Sequence, residues 1–386
     1  MNSIYYTKIG NPGSGFTNQM FTFITSIILS KNKNKRVIIC DNFYNDFCKD
    51  ENTPISEILD MEALNEFLKK YKITVFDKNN VDFKIKRVEY GKNDKKIDIT
   101  NDIVEYFFDP DMGVLHIPKM YDLNKIKGDP NNGVKKDLII QYTINNIEFN
   151  EINSEGFVSD INFDLKNVKY SYVFRWINAF NKKMFEDILK NIVFHKKFID
   201  FAEDNKNISS VNGKINVFHL RLEDDAVNHW SKQNKMEETI FKSTLENKYI
   251  SIIENHIDKS DTNIILSASE NNDVIDFLKK NGYNVTIPHK YFTNGRELNA
   301  IVDFLISKKC ENVFIGAFNM QHLNGSTFSY FISKNLDSSV KQVLIDLDRI
   351  NEPEMIYYNV HEVYNVSDTD DDVEDKKLIN YAYLLK

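Results

Sequence analysis

Cysteine is scarce in this chain. Cys40, Cys48 and Cys310 are the only three in 386 residues, an odd and sparse count that excludes a disulfide framework. Cys40 and Cys48 also lack the close spacing of a zinc knuckle. A long apolar run is missing too. The longest, Met20 to Leu29, is shorter than the roughly 20 residues a bilayer-crossing helix needs. The opening MNSIYYTKIG has no basic region followed by an apolar one, so it does not read as a secretory signal. These absences predict a soluble, cytoplasmic protein without a membrane span. There is no excess of positive charge either. Lys and Arg number 49 against 57 Asp and Glu, a net charge of -8, which argues against nucleic acid as the main partner.

What remains is ordinary globular material, 42% hydrophobic and 27% charged, in a chain too long for one hydrophobic core. Two domains are expected, at 1–205 and 206–350, followed by a tail at 351–386. Asn205 to Gly213 is polar and reads as the linker. The tail stretch Ser367 to Lys377 is acidic and reads as solvated.

The first third opens with a strand, Ile4 to Ile9, then the loop Gly10-Asn-Pro-Gly13-Ser-Gly15. Thr17 is the expected helix cap and Asn18 to Ser30 the helix. Arg36 to Cys40, apolar throughout, reads as a buried parallel strand. Strand, glycine loop, helix and strand make a βαβ unit, but without the G-x-G-x-x-G spacing or the phosphate-binding lysine of a P-loop. Beyond it, Ile55 to Tyr71 carries two short helical patterns and Ile73 to Phe76 a strand. Lys78 to Ile103 has the alternation of a hairpin, and Asp129 to Gly133 is a turn cluster. Asp164 to Tyr172 reads as a strand and Ala179 to Asp204 as a helix.

The second half alternates strand and helix. Strands are expected near Ile215–Leu220, Asn263–Leu266, Asn284–Ile287, Asn312–Ile315 and Val340–Ile345. Helices are expected at Met236–Ile257, Asn271–Asn281, Arg296–Lys309 and Phe328–Lys334. That pattern predicts a parallel sheet with helices on both faces.

Ligands bind such sheets beyond the carboxyl ends of the strands. The stretch Gly213 to Trp230 places His219, Arg221, Glu223, Asp224 and Asp225 just there. An Arg at that point suits a phosphate, because its planar fork donates two parallel hydrogen bonds. A surface salt bridge after a core strand is the plainer alternative. Ser267-Ala-Ser269-Glu270 and Gly325-Ser326-Thr327-Phe328-Ser329 each follow a strand and open a helix. A helix N-terminus flanked by small hydroxyl residues can take an anion, although an ordinary N-cap accounts for either alone. Three such strand ends in one sheet point to a nucleotide diphosphate.

The blocks Gly15-Phe16-Thr-Asn18-Gln19-Met20-Phe21, His219-Leu-Arg221 with Asp224 and Asp225, and Gly325-Ser-Thr-Phe-Ser329 occur in an order that resembles the GDP-fucose-dependent fucosyltransferase superfamily. That group holds the α1,2- and α1,6-fucosyltransferases and the protein O-fucosyltransferases. Cys310-Glu-Asn-Val-Phe-Ile315 adds a fourth short likeness. Leu222 stands where the α1,2 enzymes carry a second Arg, and Ser14 where one O-fucosyltransferase branch has its proposed base, a Glu. Gly316 to Asn324 are extra residues between the last two blocks. The likeness leaves residues 41–200 unmatched.

The resemblance implies an α/β chain of GT-B type, two Rossmann-like domains facing across a cleft. It implies inverting transfer of fucose from GDP-fucose to a glycan or protein hydroxyl, with no cofactor and no metal ligands. Arg221, Asn18, His219 and Asp224 would be catalytic, with Asn18 reaching in from the opposite domain. Gly13, Gly15, Phe16, Asp225, Ser269, Glu270, Ser326, Thr327, Phe328 and Ser329 would bind substrate. A GT-B transferase of another nucleotide sugar, and a catalytically silent nucleotide- or glycan-binding homologue, are the competing readings. Release of free sugar from the donor separates an enzyme from a binding module.

Overall fold

The computed structural model describes residues 4–10, 14–45, 52–109, 114–118, 121–154, 161–162, 169–170, 181–205, 213–266, 272–293, 295–320 and 324–351. Gly13, Ser269, Glu270, the start of the expected helix at Ala179, most of the expected strand at Asp164–Tyr172, and the acidic tail lie outside these residues. The chain is mixed α/β and divides into two compact units. Unit 1 comprises Met1–Asn11, Thr25–Phe43 and Thr53–Ser171, and unit 2 comprises Pro12–Ile24, Tyr44–Asn52 and Tyr172–Lys386. The units are therefore discontinuous in sequence, where composition placed a single boundary near residue 205. Both flanks of the expected linker Asn205–Gly213 belong to unit 2.

Unit 1 holds a parallel sheet of β1 (Ile4–Lys8), β2 (Val37–Cys40) and β3 (Thr74–Asp77), with the short β11 (Lys169–Tyr170) on the far side of β1. The helix α1 (Phe16–Asn32) connects β1 to β2, and two short helices, α2 (Ile55–Ile58) and α3 (Met61–Leu68), precede β3. All four residues of β2 are buried, as its unbroken apolar sequence requires. The charged excursion after β3 is a four-stranded antiparallel sheet of β4 (Phe83–Lys92), β5 (Lys95–Asp98), β8 (Asp137–Ile144) and β9 (Ile147–Ser154), in the order β5-β4-β8-β9. Asn145 and Asn146 both have positive φ, 45° and 66°, which fits the tight turn between β8 and β9. The short strands β6 (Phe108–Asp109), β7 (Val114–Ile117) and β10 (Ile161–Asn162) form a third sheet. Two more short helices, α4 (Thr100–Phe107) and α5 (Asn124–Lys127), lie among the described residues of the unit. One core joins the first two sheets, with Ile4, Val37 and Ile39 packed in the same cluster as Val88, Ile103, Leu138 and Ile140.

Unit 2 is built on a parallel sheet of β12 (Ile215–His219), β13 (Thr262–Leu266), β14 (Asn284–Thr286), β15 (Val313–Asn319) and β17 (Lys341–Ile345). The spatial order is β14-β13-β12-β15-β17, all parallel. Strand order reverses between β12 and β15. In a doubly wound sheet that crevice, at the carboxyl ends of the strands, is the favoured ligand site. The two-residue β16 (Asn324–Gly325) returns antiparallel on β15. The extra residues Gly316–Asn324 thus begin as the end of β15 and finish in this return strand.

The α-helices lying wholly among the described residues of unit 2 are α6 (Lys182–Lys190), α7 (Lys196–Asp204), α8 (Asp224–Gln233), α9 (Glu238–His256), α10 (Asp273–Lys280), α11 (Arg296–Ser307) and α12 (Thr327–Asn335). The single helix expected to Asp204 is two. The apolar periodicity runs through the break because Ile192 and Phe194 are buried in the connecting segment. Asn191 closes α6, and His195 caps α7 by accepting from the Lys197 N–H at 3.3 Å. The described α10 starts at Asp273, and its cap is Asn272, whose side chain accepts from the Ile275 N–H at 3.1 Å. Helix α8 is absent from the pattern read in the sequence, because its first turn is the acidic pair Asp224-Asp225 and its apolar stripe, Ala226, Val227 and Trp230, begins only afterwards.

Candidate functional site

Helix α1 starts at Phe16, one residue before the cap expected at Thr17. The Gln19 N–H donates to the Gly15 carbonyl at 3.2 Å, closing the first turn. The side chain of Gln19, fully buried, donates to the carbonyls of Ser14 and Tyr44, both at 2.9 Å, and accepts from the Tyr44 N–H at 2.8 Å. One amide thereby holds the entry to the helix. Residues 12–24 belong to unit 2, and the reason is aromatic packing. Phe16 meets Phe331 edge-on at 5.5 Å and Phe328 at 6.4 Å, while Phe21 meets Tyr330 at 5.9 Å. Such ring pairs add to burial when set edge to face.

This packing lays the first turn of α1 beside the start of α12. Thr327 Oγ1 donates to Asn18 Oδ1 at 3.0 Å, and Thr17 Oγ1 lies 2.8 Å from the same Thr327 oxygen. Thr17 is therefore a buried hydrogen-bonding residue inside the helix, not its cap. Asn18 falls in the same compact unit as Thr327. A Cβ added at Gly15 would meet nothing within 4 Å, so no contact with a described residue demands glycine there.

Helix α12 is capped by Ser326, whose side chain accepts from the Ser329 N–H at 3.4 Å. Gly325 before it has φ +122°, and a Cβ there would stand 2.7 Å from Phe318 Cα. The return onto β15 needs glycine for both reasons. The hydroxyl of Ser329 accepts from the Ala317 N–H at 3.0 Å and pairs with His219 Nδ1 at 2.6 Å. Gly316 makes room for it, since a Cβ there would fall 2.9 Å from Ser329 Oγ. Phe328 lies edge-on to the His219 ring at 5.1 Å.

His219 is the last residue of β12 and is 5% exposed. Burial, and secondarily the nearby charge of Arg221, push its pKa down to about 3, so the ring is neutral near pH 7. The turn after it is held by a residue the sequence reading did not single out. Tyr249, on α9 and fully buried, donates its hydroxyl to the His219 carbonyl at 3.1 Å and accepts from the Arg221 N–H at 3.2 Å. Two bonds from one phenol fix the backbone that presents Arg221.

Arg221 has a side-chain exposure of 19%. Its Nη2 donates to Asp225 Oδ2 at 3.2 Å, and its Nη1 stands 2.7 Å from Glu223 Oε2. The second contact is a close ion pair. Burial works against the guanidinium charge, but Glu223 and Asp225 outweigh it and hold the pKa above its ordinary value. Asp225 is affected in the converse sense: burial raises its pKa, and Arg221, together with Arg296 and the Ala226 N–H, outweighs that, so it is lowered overall. Asp224 is exposed and makes no side-chain hydrogen bond or ion pair with another described residue. The carboxylates on Arg221 are therefore Glu223 and Asp225. Glu223 was visible in the motif but passed over, since only the packed turn shows which of three consecutive acids faces the guanidinium.

Asn18, His219, Arg221, Asp225, Ser326, Thr327, Phe328 and Ser329 thus gather around the N-terminus of α12 and the end of β12, beside the point where strand order reverses. No family model matches the chain, and no curated protein matches its sequence. Among solved structures, POFUT1 in complex with GDP-fucose aligns at 10% identity over 89% of this chain and 98% of its own, with TM-score 0.46. The fucosyltransferase NodZ from Bradyrhizobium aligns at 9% identity over 90% and 96%, with TM-score 0.44. NodZ α-1,6-fucosyltransferase co-crystallised with GDP gives 8% identity over 90% and 96%, and 0.44. No described helix is long and apolar enough to cross a membrane.

Proposed function

We propose that the chain is a glycosyltransferase that transfers fucose from GDP-fucose to a glycan or protein hydroxyl, with inversion and without an essential metal. One observation carries the reading. Three sequence blocks, separated by some two hundred and then one hundred residues, meet through the Asn18–Thr327 and His219–Ser329 hydrogen bonds. They are the same blocks, in the same order, that resemble the fucosyltransferase signatures.

The chemistry is coherent. Arg221 carries a permanent charge on a backbone fixed by Tyr249, and in the first turn of α12 the N–H groups of Thr327 and Phe328 lie outside the helix's own bonds, while those of Ser326 and Ser329 are taken by the Ala317 carbonyl and the Ser326 hydroxyl. Donors set in advance toward a departing diphosphate stabilise charge that develops as the sugar–phosphate bond breaks. Neutral His219 orients the turn and Ser329 without competing for the anion. Asn18 lies within the same constellation, where a side-chain amide can both donate and accept.

The test is a thermal-shift panel of GDP, GDP-fucose, UDP-sugars and ADP, followed by assay of donor hydrolysis. A ligand that binds only the native state raises the melting temperature. The reading expects a shift with GDP and GDP-fucose and release of free fucose. A response to UDP-sugars with none to GDP overturns the donor. GDP binding without any sugar release supports the silent homologue instead.

A further inference from the structure

A nucleoside diphosphate carries more negative charge than one guanidinium can balance, and Arg221 already serves two carboxylates. Position 222 cannot help: Leu222 is 3% exposed and belongs to the hydrophobic core of unit 2. Any second cation is supplied from elsewhere in the fold. Helix α11 starts with Arg296, directly after Gly295. A Cβ on Gly295 would stand 2.7 Å from Phe292 Cβ, so a side chain at that position would collide with Phe292. Arg296 Nη2 lies 4.0 Å from Asp225 Oδ2, the same oxygen that accepts from Arg221 Nη2 at 3.2 Å. Two guanidinium groups from separate elements therefore flank one carboxylate oxygen. Their side chains are 19% and 43% exposed, with Asp225 at 60%, so the cluster opens to solvent and is not sealed in the core.

We propose that Arg296 is a second phosphate-gripping residue, and that Asp225 holds Arg221 and Arg296 as a two-guanidinium clamp for the diphosphate of a nucleoside-diphosphate donor. The proposal deepens the donor reading above and rests on it. A guanidinium keeps its charge near neutral pH. The mutual repulsion of the pair is relieved by Glu223 and Asp225 while the site is empty, and by phosphate oxygens when it is filled. Each planar fork can make paired hydrogen bonds to such oxygens. In this arrangement the clamp reads the diphosphate and is indifferent to the base.

The experiment is calorimetric titration of the full chain with GDP and with guanosine, for the wild type, Arg296→Gln and Arg296→Lys. Melting temperatures confirm that each variant is folded. For Arg296→Gln, GDP affinity is expected to fall about tenfold or more, while guanosine binding is unchanged. Arg296→Lys restores part of the loss by keeping the charge without the fork. Unchanged GDP affinity in folded Arg296→Gln overturns the clamp and leaves the donor reading standing, as does equal weakening of GDP and guanosine. If the wild type prefers UDP or ADP, the donor reading fails and the clamp is judged by the same comparison with that nucleotide and its nucleoside. A wild type that binds no nucleoside diphosphate overturns both.

Discussion

The imidazole of His219 and the hydroxyl of Ser329 lie 2.6 Å apart, joining the end of β12 to the first turn of α12. The hydroxyl also accepts from the Ala317 N–H. Removing it in Ser329→Ala leaves a buried ring nitrogen and a buried amide without their partner. The expected cost is about 1–3 kcal/mol of stability, read as a lower midpoint in urea with an unchanged slope. A loss within error would mean that water replaces the hydroxyl and that the junction is not structural.

The same histidine makes stability depend on pH. Its folded pKa, about 3, lies below the roughly 6.5 of an exposed histidine. Between those values the unfolded chain binds the proton and the native state does not. Stability therefore rises with pH across that window and is lost as pH falls through it. The slope attributable to His219 is on the order of 1 kcal/mol per pH unit. Burial raises the pKa of Asp303 and of Glu246, which acts in the opposite sense, so the comparison must be differential. His219→Gln should flatten the slope between pH 5 and 6 relative to wild type. Parallel curves would show that the ring is protonated in the native state.

Arg221→Lys keeps the charge and loses the fork. If the guanidinium stabilises the departing diphosphate, turnover falls roughly a hundredfold or more while the protein stays folded. Turnover and melting temperature measured on the same sample decide it. Near-normal turnover with an unshifted melting temperature would reduce Arg221 to a salt-bridge partner of Glu223 and Asp225.

Asn18→Ala distinguishes two roles for the amide. Its Oδ1 accepts from Thr327, so a purely structural Asn18 would affect nucleotide binding and turnover together, through the start of α12. A residue acting on the acceptor or the transferred sugar would lower turnover far more than GDP affinity, and that split is the expected result. Steady-state kinetics alongside GDP titration read both quantities.

Much of this was legible in the sequence, for physical reasons. The strands of unit 2 are short apolar runs between turn signals, and β2 is apolar throughout because both its faces are covered. The residues at strand ends stood out because polar side chains follow buried strands without a gap. Other features were not legible. Helix α8 opens on two aspartates, and the break between α6 and α7 is bridged by buried Ile192 and Phe194. The placement of α1's first turn in unit 2 depends on rings some three hundred residues away. Sequence spacing cannot show that Glu223, not Asp224, meets the guanidinium, or that a phenol from another helix braces its backbone.

That phenol gives the last prediction. Tyr249 carries a hydroxyl bonded to both sides of the turn that presents Arg221, and burial raises its pKa, so it stays protonated and can donate to the His219 carbonyl at any working pH. Tyr249→Phe keeps the ring in the core and removes only those two bonds. It leaves a buried carbonyl and an amide unpaired, which costs about 1–3 kcal/mol. If the hydroxyl matters only to the fold, the variant loses stability and its surviving native fraction works normally. If it positions Arg221, turnover per folded molecule also falls, because small misplacements of a group aimed at the reacting centre are costly. The expected outcome is the second, with Tyr249→Phe resembling a milder Arg221→Lys in kinetics and exceeding it in lost stability. Normal turnover per folded molecule would assign Tyr249 to the core alone.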